Sequence, residues 1–280
     1  MVTKGFQTET VRSESTLNKR ITHALLCLTL LLGLSTPAFA EETPATVEVT
    51  LNGEVAEGLS ATIYDGTSYL PFYAGTLAIR PDAQINWEDG QFVATATDFT
   101  MTARAYDHYL VVNDRYLYIP DGIKADPDGT IYVPARTLAV ALGAWIGWND
   151  RVELCSGGVP LTAEARPYDD ATLDLMARVI THESGYQPLA GKIAVGNVIM
   201  NRVNSPSFPN TVYEVVYQPG QFPGATSYEP NAESILAARL CLEGANVVPG
   251  AYWFNGAGKS CWASRNKATI AVIGGHAFYG

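Results

Sequence analysis

Histidine and cysteine are scarce, four of each in 280 residues. No CxxC pair occurs, and no histidines or cysteines stand at metal-ligand spacing, so neither a metal nor another cofactor is expected. Basic residues are also few: 18 Lys and Arg stand against 28 Asp and Glu, for a net charge of −10. That balance excludes nucleic acid as a partner, because such proteins carry clustered basic residues. Long apolar runs are almost absent. The one candidate, Ala24 to Leu34, falls short of the roughly 20 residues a membrane span needs. Lys19 and Arg20 precede it, and Ala38-Phe39-Ala40 follows it. A basic start, a short apolar core and small residues at the end predict a secretory signal peptide over residues 1–40, and hence an exported, secreted chain without a stable membrane span. Its removal takes away Lys4, Arg12, Lys19 and Arg20 against Glu9 and Glu14, moving the net charge from −10 to −12. A polymer held by such a surface must be held through hydrogen bonds and aromatic stacking.

Three cysteines remain after that cleavage: Cys155, Cys241 and Cys261. An odd count outside the cell allows one internal pair and one leftover thiol. The expected pair is Cys241–Cys261. It would close a loop of about twenty residues and stabilise by ~3 kcal/mol in the chain-entropy view, leaving Cys155 free.

An internal repeat organises the first half. Gly66-Thr67-Ser68-Tyr69-Leu70-Pro71 recurs as Gly129-Thr130-Ile131-Tyr132-Val133-Pro134. An apolar stretch follows each copy, and then Ile85-Asn86-Trp87 or Ile146-Gly147-Trp148. Each unit reads as a turn, a strand stopped by proline, a helix and a strand carrying tryptophan. In the second copy Ala135 to Leu142 forms the helix and Gly143 ends it. Trp87 and Trp148 occupy equivalent structural positions and are expected to pack in the core. This pattern, over residues 46–156, resembles the copper amine oxidase N-terminal-like domain. Copper is not implied, since His108 is the only histidine there. Residues 157–170, with Gly157, Gly158, Pro160 and Pro167, read as a linker.

Residues 171–280 change to helical periodicity. Asp169 or Asp170 caps a helix starting at Ala171. Leu173, Met176, Ala177 and Ile180 form its buried stripe, Glu183 continues that stripe, and Gly185 is expected to end it as a left-handed cap. A carboxyl group at the end of an apolar stripe is held partly out of water, where it is suited to proton donation. Pro188 then starts a second, almost wholly buried helix. The run from Ala177 through Glu183-Ser184-Gly185 and Gly191 to Asn201-Arg202-Val203 is similar to the signature of the SleB-type cell-wall hydrolases, the family of the spore cortex-lytic enzymes. The likeness continues through Phe208-Pro209-Asn210-Thr211, Tyr217-Gln218-Pro219-Gly220-Gln221-Phe222, Tyr252-Trp253-Phe254-Asn255 and Gly274-Gly275-His276-Ala277-Phe278-Tyr279.

The resemblance implies an α+β protein, with a repeated strand-helix-strand domain followed by a mainly helical, lysozyme-like catalytic domain. It implies an enzyme that cleaves peptidoglycan glycan strands in the cell wall or spore cortex, with Glu183 as its essential acid. Candidate contacts to the sugars are Tyr217, Gln221, Phe222 and Asn255. A two-carboxylate glycosidase needs a second Asp or Glu about 5–9.5 Å away. Neither Glu214 nor Glu229 lies in a stretch that compels that role, and a single Glu suits lytic transglycosylation. Three alternatives stand beside this reading. A zinc amidase or peptidase would use His182-Glu183 as the start of an HExxH motif, but Tyr186 stands where the second histidine belongs. A Cys–His peptidase would use Cys261 and His276. A non-catalytic wall-binding protein would rest on the repeat domain. His182 is expected to be solvated and His276 to be structural.

Overall fold

The computed structural model describes residues 44–280. The segment read as a signal peptide, with Cys27, lies outside them. The protein is α+β, strand-rich in its first half and largely helical in its second.

The strand-rich half holds two sheets. Strands β1 (Thr46–Leu51), β2 (Glu54–Tyr64), β3 (Thr67–Pro71), β9 (Lys124–Ala125), β10 (Ile131–Pro134), β11 (Trp145–Trp148) and β12 (Val152–Cys155) form a seven-stranded sheet in the order β11-β12-β1-β2-β3-β10-β9. Strands β4 (Gln84–Glu88), β5 (Gln91–Thr95), β6 (Thr100–Ala103), β7 (Tyr109–Val112) and β8 (Arg115–Tyr118) form an antiparallel meander in chain order. Helices α1 (Phe72–Ile79) and α2 (Ala135–Ala141) follow the two repeat strands directly. The reason is local: Pro71 and Pro134 have an extended backbone and stand at the N-cap, a point where the missing N–H costs no ladder bond. The repeat strands β3 and β10 pair antiparallel, with Tyr69 opposite Pro134 and Pro71 opposite Tyr132. Between the layers, Leu70, Phe72, Met101, Leu110, Val133 and Leu138 make one apolar core.

The expectation for the repeat tryptophans is overturned. Trp87 is 59% exposed and Trp148 is 56% exposed. Both β4 and β11 are edge strands, so their tryptophans are left at the rim while Tyr69 and Phe72 of the first unit are buried. Trp87 still packs edge-on against Phe92, with centroids 4.8 Å apart.

In the second half, α3 (Asp170–Ser184), α4 (Leu189–Val203), α5 (Val212–Val216) and α6 (Ala232–Leu242) enclose a core of Met176, Ala177, Ile180, Ile193, Val215 and Leu240. A short helix α7 (Trp262–Asn266) follows. Strands β13 (Trp253–Gly256), β14 (Thr269–Ile273) and β15 (His276–Tyr279) build a three-stranded antiparallel sheet in the order β13-β15-β14, which the helical periodicity did not predict. Helix α4 is buried on both sides. Ile193 and Ile199 face the helical core, while Ala194, Val195 and Val198 meet Val248, Ala251 and Phe278 beside the terminal sheet.

The polar residues of α4 are buried with partners. Asn197 donates to Ala245 O and accepts from Val247 N (2.6 and 2.7 Å). Asn201 donates to Val248 O and Ala251 O (2.9 and 3.0 Å). Spaced four residues apart, these two amides stand on one helix face and hold segment 245–251 onto it.

All three described cysteines are free thiols, so the Cys241–Cys261 disulfide does not form. Cys241 faces into the contact between α6 and α4, where its Sγ donates to Ile193 O (3.3 Å). Burial pushes that thiol well above its ordinary pKa. Cys261 instead caps α7, accepting from Ser264 N (3.4 Å).

The two halves meet across a polar and aromatic seam. Tyr109, Tyr116 and Tyr118 pack against the helical core. Arg115 on β8 forms a two-pronged pair with Glu243, just past α6, at 2.7 and 2.8 Å. The side chains are 10% and 3% exposed. Arg239 binds Asp114 (2.6 Å) and lies over the Tyr116 ring. Among residues 157–170, Leu161 donates its N–H to Ala141 O (3.1 Å), and its carbonyl accepts from Asn113 (2.9 Å).

Candidate active site

Helix α3 starts where the sequence places it. Asp169 is the N-cap and accepts from Thr172 N (2.7 Å). Leu173, Met176, Ala177 and Ile180 are buried along one face. Glu183 lies in the last turn, its side chain 22% exposed. Gly185 ends the helix differently from the expectation: its backbone is right-handed (φ −52°, ψ −29°), not left-handed. The glycine is needed for space, because a β-carbon there would lie 2.5 Å from Thr181 O.

His182 stands beside Glu183 and not in open solvent, while His276 lies on the terminal strand, as expected, near enough for the Glu183 charge to act on it. His182 Nδ1 is 3.1 Å from Glu183 Oε1. Its ring rests on Tyr228, with centroids 4.6 Å apart. Tyr228 belongs to the loop before α6, and that loop is fastened across the end of α3: Asn231 N–H donates to the Thr181 hydroxyl (3.2 Å), and Arg178 donates to Tyr228 O (3.1 Å). His276 arrives from β15. The turn before it is tied to the loop after α3, as Gly275 N–H donates to Gln187 Oε1 (2.7 Å). Burial pushes the His276 imidazole below its ordinary pKa, and the nearby Glu183 carboxylate pulls the other way. Its Nδ1 is buried with no hydrogen-bond partner, and the ring meets Phe254 edge-on at 5.4 Å.

The two carboxylates weighed as a second acid are occupied elsewhere. Glu214 accepts from the Thr211 hydroxyl (2.9 Å) in the cap of α5. Glu229 is held by Arg178 (3.0 Å). Cys261 and His276 do not pair, since the thiol sits in its helix cap and His276 Nδ1 is unpartnered. Among the described residues no three His, Cys, Asp or Glu side chains converge as a metal-binding group would.

The four candidate sugar contacts divide. Asn255, on β13, is paired across the sheet with Ala277, next to His276. Its carbonyl oxygen accepts from Gly256 N (2.9 Å), so it also shapes the turn after β13. Gln221 and Phe222 gather at a different residue, Arg202, at the far end of α4. Arg202 is 5% exposed and donates to Gln221 Oε1 (2.7 Å) and Tyr252 O (2.9 Å). The guanidinium lies over the rings of Phe208 and Phe222 (5.3 and 5.9 Å). Because arginine can only donate, the Gln221 amide must turn its oxygen inward and its NH₂ outward. Tyr217 is 53% exposed and packs on Tyr213 (4.6 Å).

The sequence reading missed a row of rings along β13. Phe208 stacks on Tyr252 (5.4 Å), Tyr252 meets Trp253 (5.8 Å), and Trp253 meets Trp262 (5.6 Å). The available signal was the density of rings between Tyr252 and Trp262, with Phe208 standing apart between Ser207 and Pro209.

The cell wall hydrolase family profile matches residues 186–279, beginning three residues after Glu183, and the copper amine oxidase N-terminal domain profile matches residues 50–155. Among curated proteins, the spore cortex-lytic enzyme of Oceanobacillus iheyensis is 31% identical over 128 residues, covering 44% of this chain and 46% of that protein. The spore cortex-lytic enzyme of Bacillus cereus is 34% identical over 119 residues, covering 40% and 45%. The chain thus spans under half the length of these relatives. Two solved structures are similar. The catalytic domain of the Bacillus cereus SleB protein is 30% identical and covers 40% of this chain and 92% of that one, with a TM-score of 0.38. The catalytic domain of a germination-specific lytic transglycosylase SleB from Bacillus anthracis is 29% identical and covers 40% and 97%, also with a TM-score of 0.38. Residues 186–279 are thus similar to the cell wall hydrolase family, and residues 50–155, ahead of them in the same chain, to the copper amine oxidase N-terminal domain.

Proposed function

We propose that this protein is an exported, wall-associated lytic transglycosylase that cleaves MurNAc–GlcNAc bonds in the peptidoglycan of the cell wall or spore cortex, with Glu183 as its single acid and base. The observation that carries the reading is the setting of Glu183. It is a mostly shielded carboxyl at a helix end, in hydrogen-bond reach of His182, while the other two carboxylates weighed as a partner are engaged elsewhere.

The chemistry follows from that arrangement. The Glu183 carboxyl protonates the glycosidic oxygen, and the bond to the leaving sugar breaks. The resulting carboxylate then takes the proton from the C6 hydroxyl of the muramyl residue, whose oxygen closes on C1 to give a 1,6-anhydro end. No water enters and no second carboxylate is required, in contrast to the two-carboxylate mechanisms. With its proton on Nδ1, His182 donates to Oε1 and leaves Oε2 for the substrate. Gln221, presenting its NH₂, suits an acetamido carbonyl, and the exposed rings of Tyr217 and Trp262 suit sugar faces. The support of the family match and of relatives named spore cortex-lytic enzymes points the same way.

The test is digestion of purified peptidoglycan followed by mass spectrometry of the released muropeptides. Anhydro-muramyl ends support the reading. Reducing muramyl ends alone would make the enzyme a hydrolase, and free stem peptides would make it an amidase or peptidase.

A further inference from the structure

A second concavity, of about 370 Å³, lies in the strand-rich half and shares no residue with the Glu183 site. Ile146 and Val152 give it apolar lining, and Thr67, Ser68, Arg136 and Trp148 line it as well. Trp148 sits directly across from Val152 in the β11–β12 pair, so both side chains share one face of the sheet. More than half of the indole is open to solvent. Arg136 is exposed and, like Arg104, Arg202 and Arg265, has no carboxylate partner among the described residues, whereas Arg80, Arg115, Arg151, Arg166, Arg178 and Arg239 are each paired. An unpaired guanidinium beside a bare indole is notable in a chain with an excess of acids.

The repeat supplies an internal comparison. Tyr73 stands in the first copy where Arg136 stands in the second, and Trp87, though as exposed as Trp148, packs edge-on against Phe92 at 4.8 Å. The pocket thus joins Thr67 and Ser68 of the first copy to Arg136 and Trp148 of the second.

We propose that this pocket binds a carboxylated sugar, with the pyranose face on Trp148, the carboxylate on Arg136 and the hydroxyls of Thr67 and Ser68 available to the ring oxygens. Its volume falls in the range of small-molecule sites. A ring that stacks and a cation that pairs select a saccharide bearing negative charge over a neutral one. Choosing a muramic acid unit among such sugars rests on the wall substrate proposed above; the class of ligand does not. A site of this kind would hold the enzyme on muramyl residues whose stem peptide has been removed, where the lactyl carboxylate is free, while cleavage proceeds elsewhere.

The experiment uses the full chain carrying Glu183→Gln, so that no sugar is turned over. The probes are N-acetylmuramic acid and N-acetylglucosamine, which differ in the lactyl carboxylate. The readout is the indole N–H resonance of Trp148, assigned by its loss in Trp148→Phe. N-acetylmuramic acid is expected to shift this resonance saturably, at roughly millimolar concentration as befits one small sugar. N-acetylglucosamine should bind about tenfold more weakly, for want of one charge-assisted pair. Arg136→Gln should bring the two sugars to the same weak affinity. Both variants alter exposed side chains, and an unchanged melting temperature verifies that they fold. A Trp148 resonance that neither sugar moves, or a preference for N-acetylmuramic acid that survives Arg136→Gln, overturns the proposal. Wall digestion by the wild type is read separately, so a failed transglycosylase assay leaves this titration interpretable.

Discussion

Glu183 and His276 each predict a separable response. Glu183→Gln keeps size and shape but removes the transferable proton. Glycan cleavage should fall by at least the ~10²–10⁴-fold typical of a positioned acid or base, with an unchanged melting temperature. The His276 imidazole is held below its ordinary pKa by burial, so the folded state binds fewer protons there than the unfolded state. Stability from this group is full above the unfolded value, about 6.5, and declines as pH falls through it. Denaturant titrations from pH 8 to pH 5 should show that decline in wild type and a shallower one in His276→Gln. Equal slopes would show that the imidazole is not the responsible group. The position of Glu183 at a helix end was legible from the stripe Leu173, Met176, Ala177, Ile180 and the glycine beyond it. The two histidines were not. Their approach depends on Gln187 meeting Gly275 and on Tyr228 crossing α3, contacts between residues 88 and 46 positions apart that no local pattern encodes.

At the scale of elements, the repeat and the helices α3 and α4 were readable because proline, glycine and apolar spacing act locally. The tryptophan positions were misjudged because equivalence in a repeat does not reveal which strands end at a sheet edge. The cysteine pairing was misjudged for a similar reason. Loop length and export favoured a bridge, but Cys241 points into the α4–α6 contact and Cys261 closes its own helix. Thiol titration of the denatured, unreduced chain lacking residues 1–40 should therefore count three thiols and not one. In the native state Cys241 should react last, because it is 2% exposed. The tightness of the same contact gives another expectation. A β-carbon at Gly196 would lie 2.7 Å from Cys241 Sγ and 3.0 Å from Met176. Gly196→Ala should destabilise by about 1–3 kcal/mol through overpacking, read as a lower denaturation midpoint at unchanged slope.

Across the whole molecule, residues 44–280 form one compact unit, joined by the Arg115–Glu243 pair and the tyrosines of β7 and β8. Breaking a buried pair strands a charge. Arg115→Ala should cost roughly 3–5 kcal/mol, and the double change Arg115→Met with Glu243→Leu much less. A loss under about 1 kcal/mol from Arg115→Ala would place the pair in solvent. A seam of this kind also means that the strand-rich half supports the helical half mechanically, so a chain starting at Ala163 should melt earlier even though no residue before it belongs to the candidate active site. The central claim is that one shielded carboxyl performs both proton transfers. It is tested most directly by the mass of the muropeptides that wild type and Glu183→Gln release from the same purified peptidoglycan. The account predicts 1,6-anhydro-muramyl products from wild type and none from a Glu183→Gln protein that melts normally. Undiminished anhydro products from the variant would contradict it.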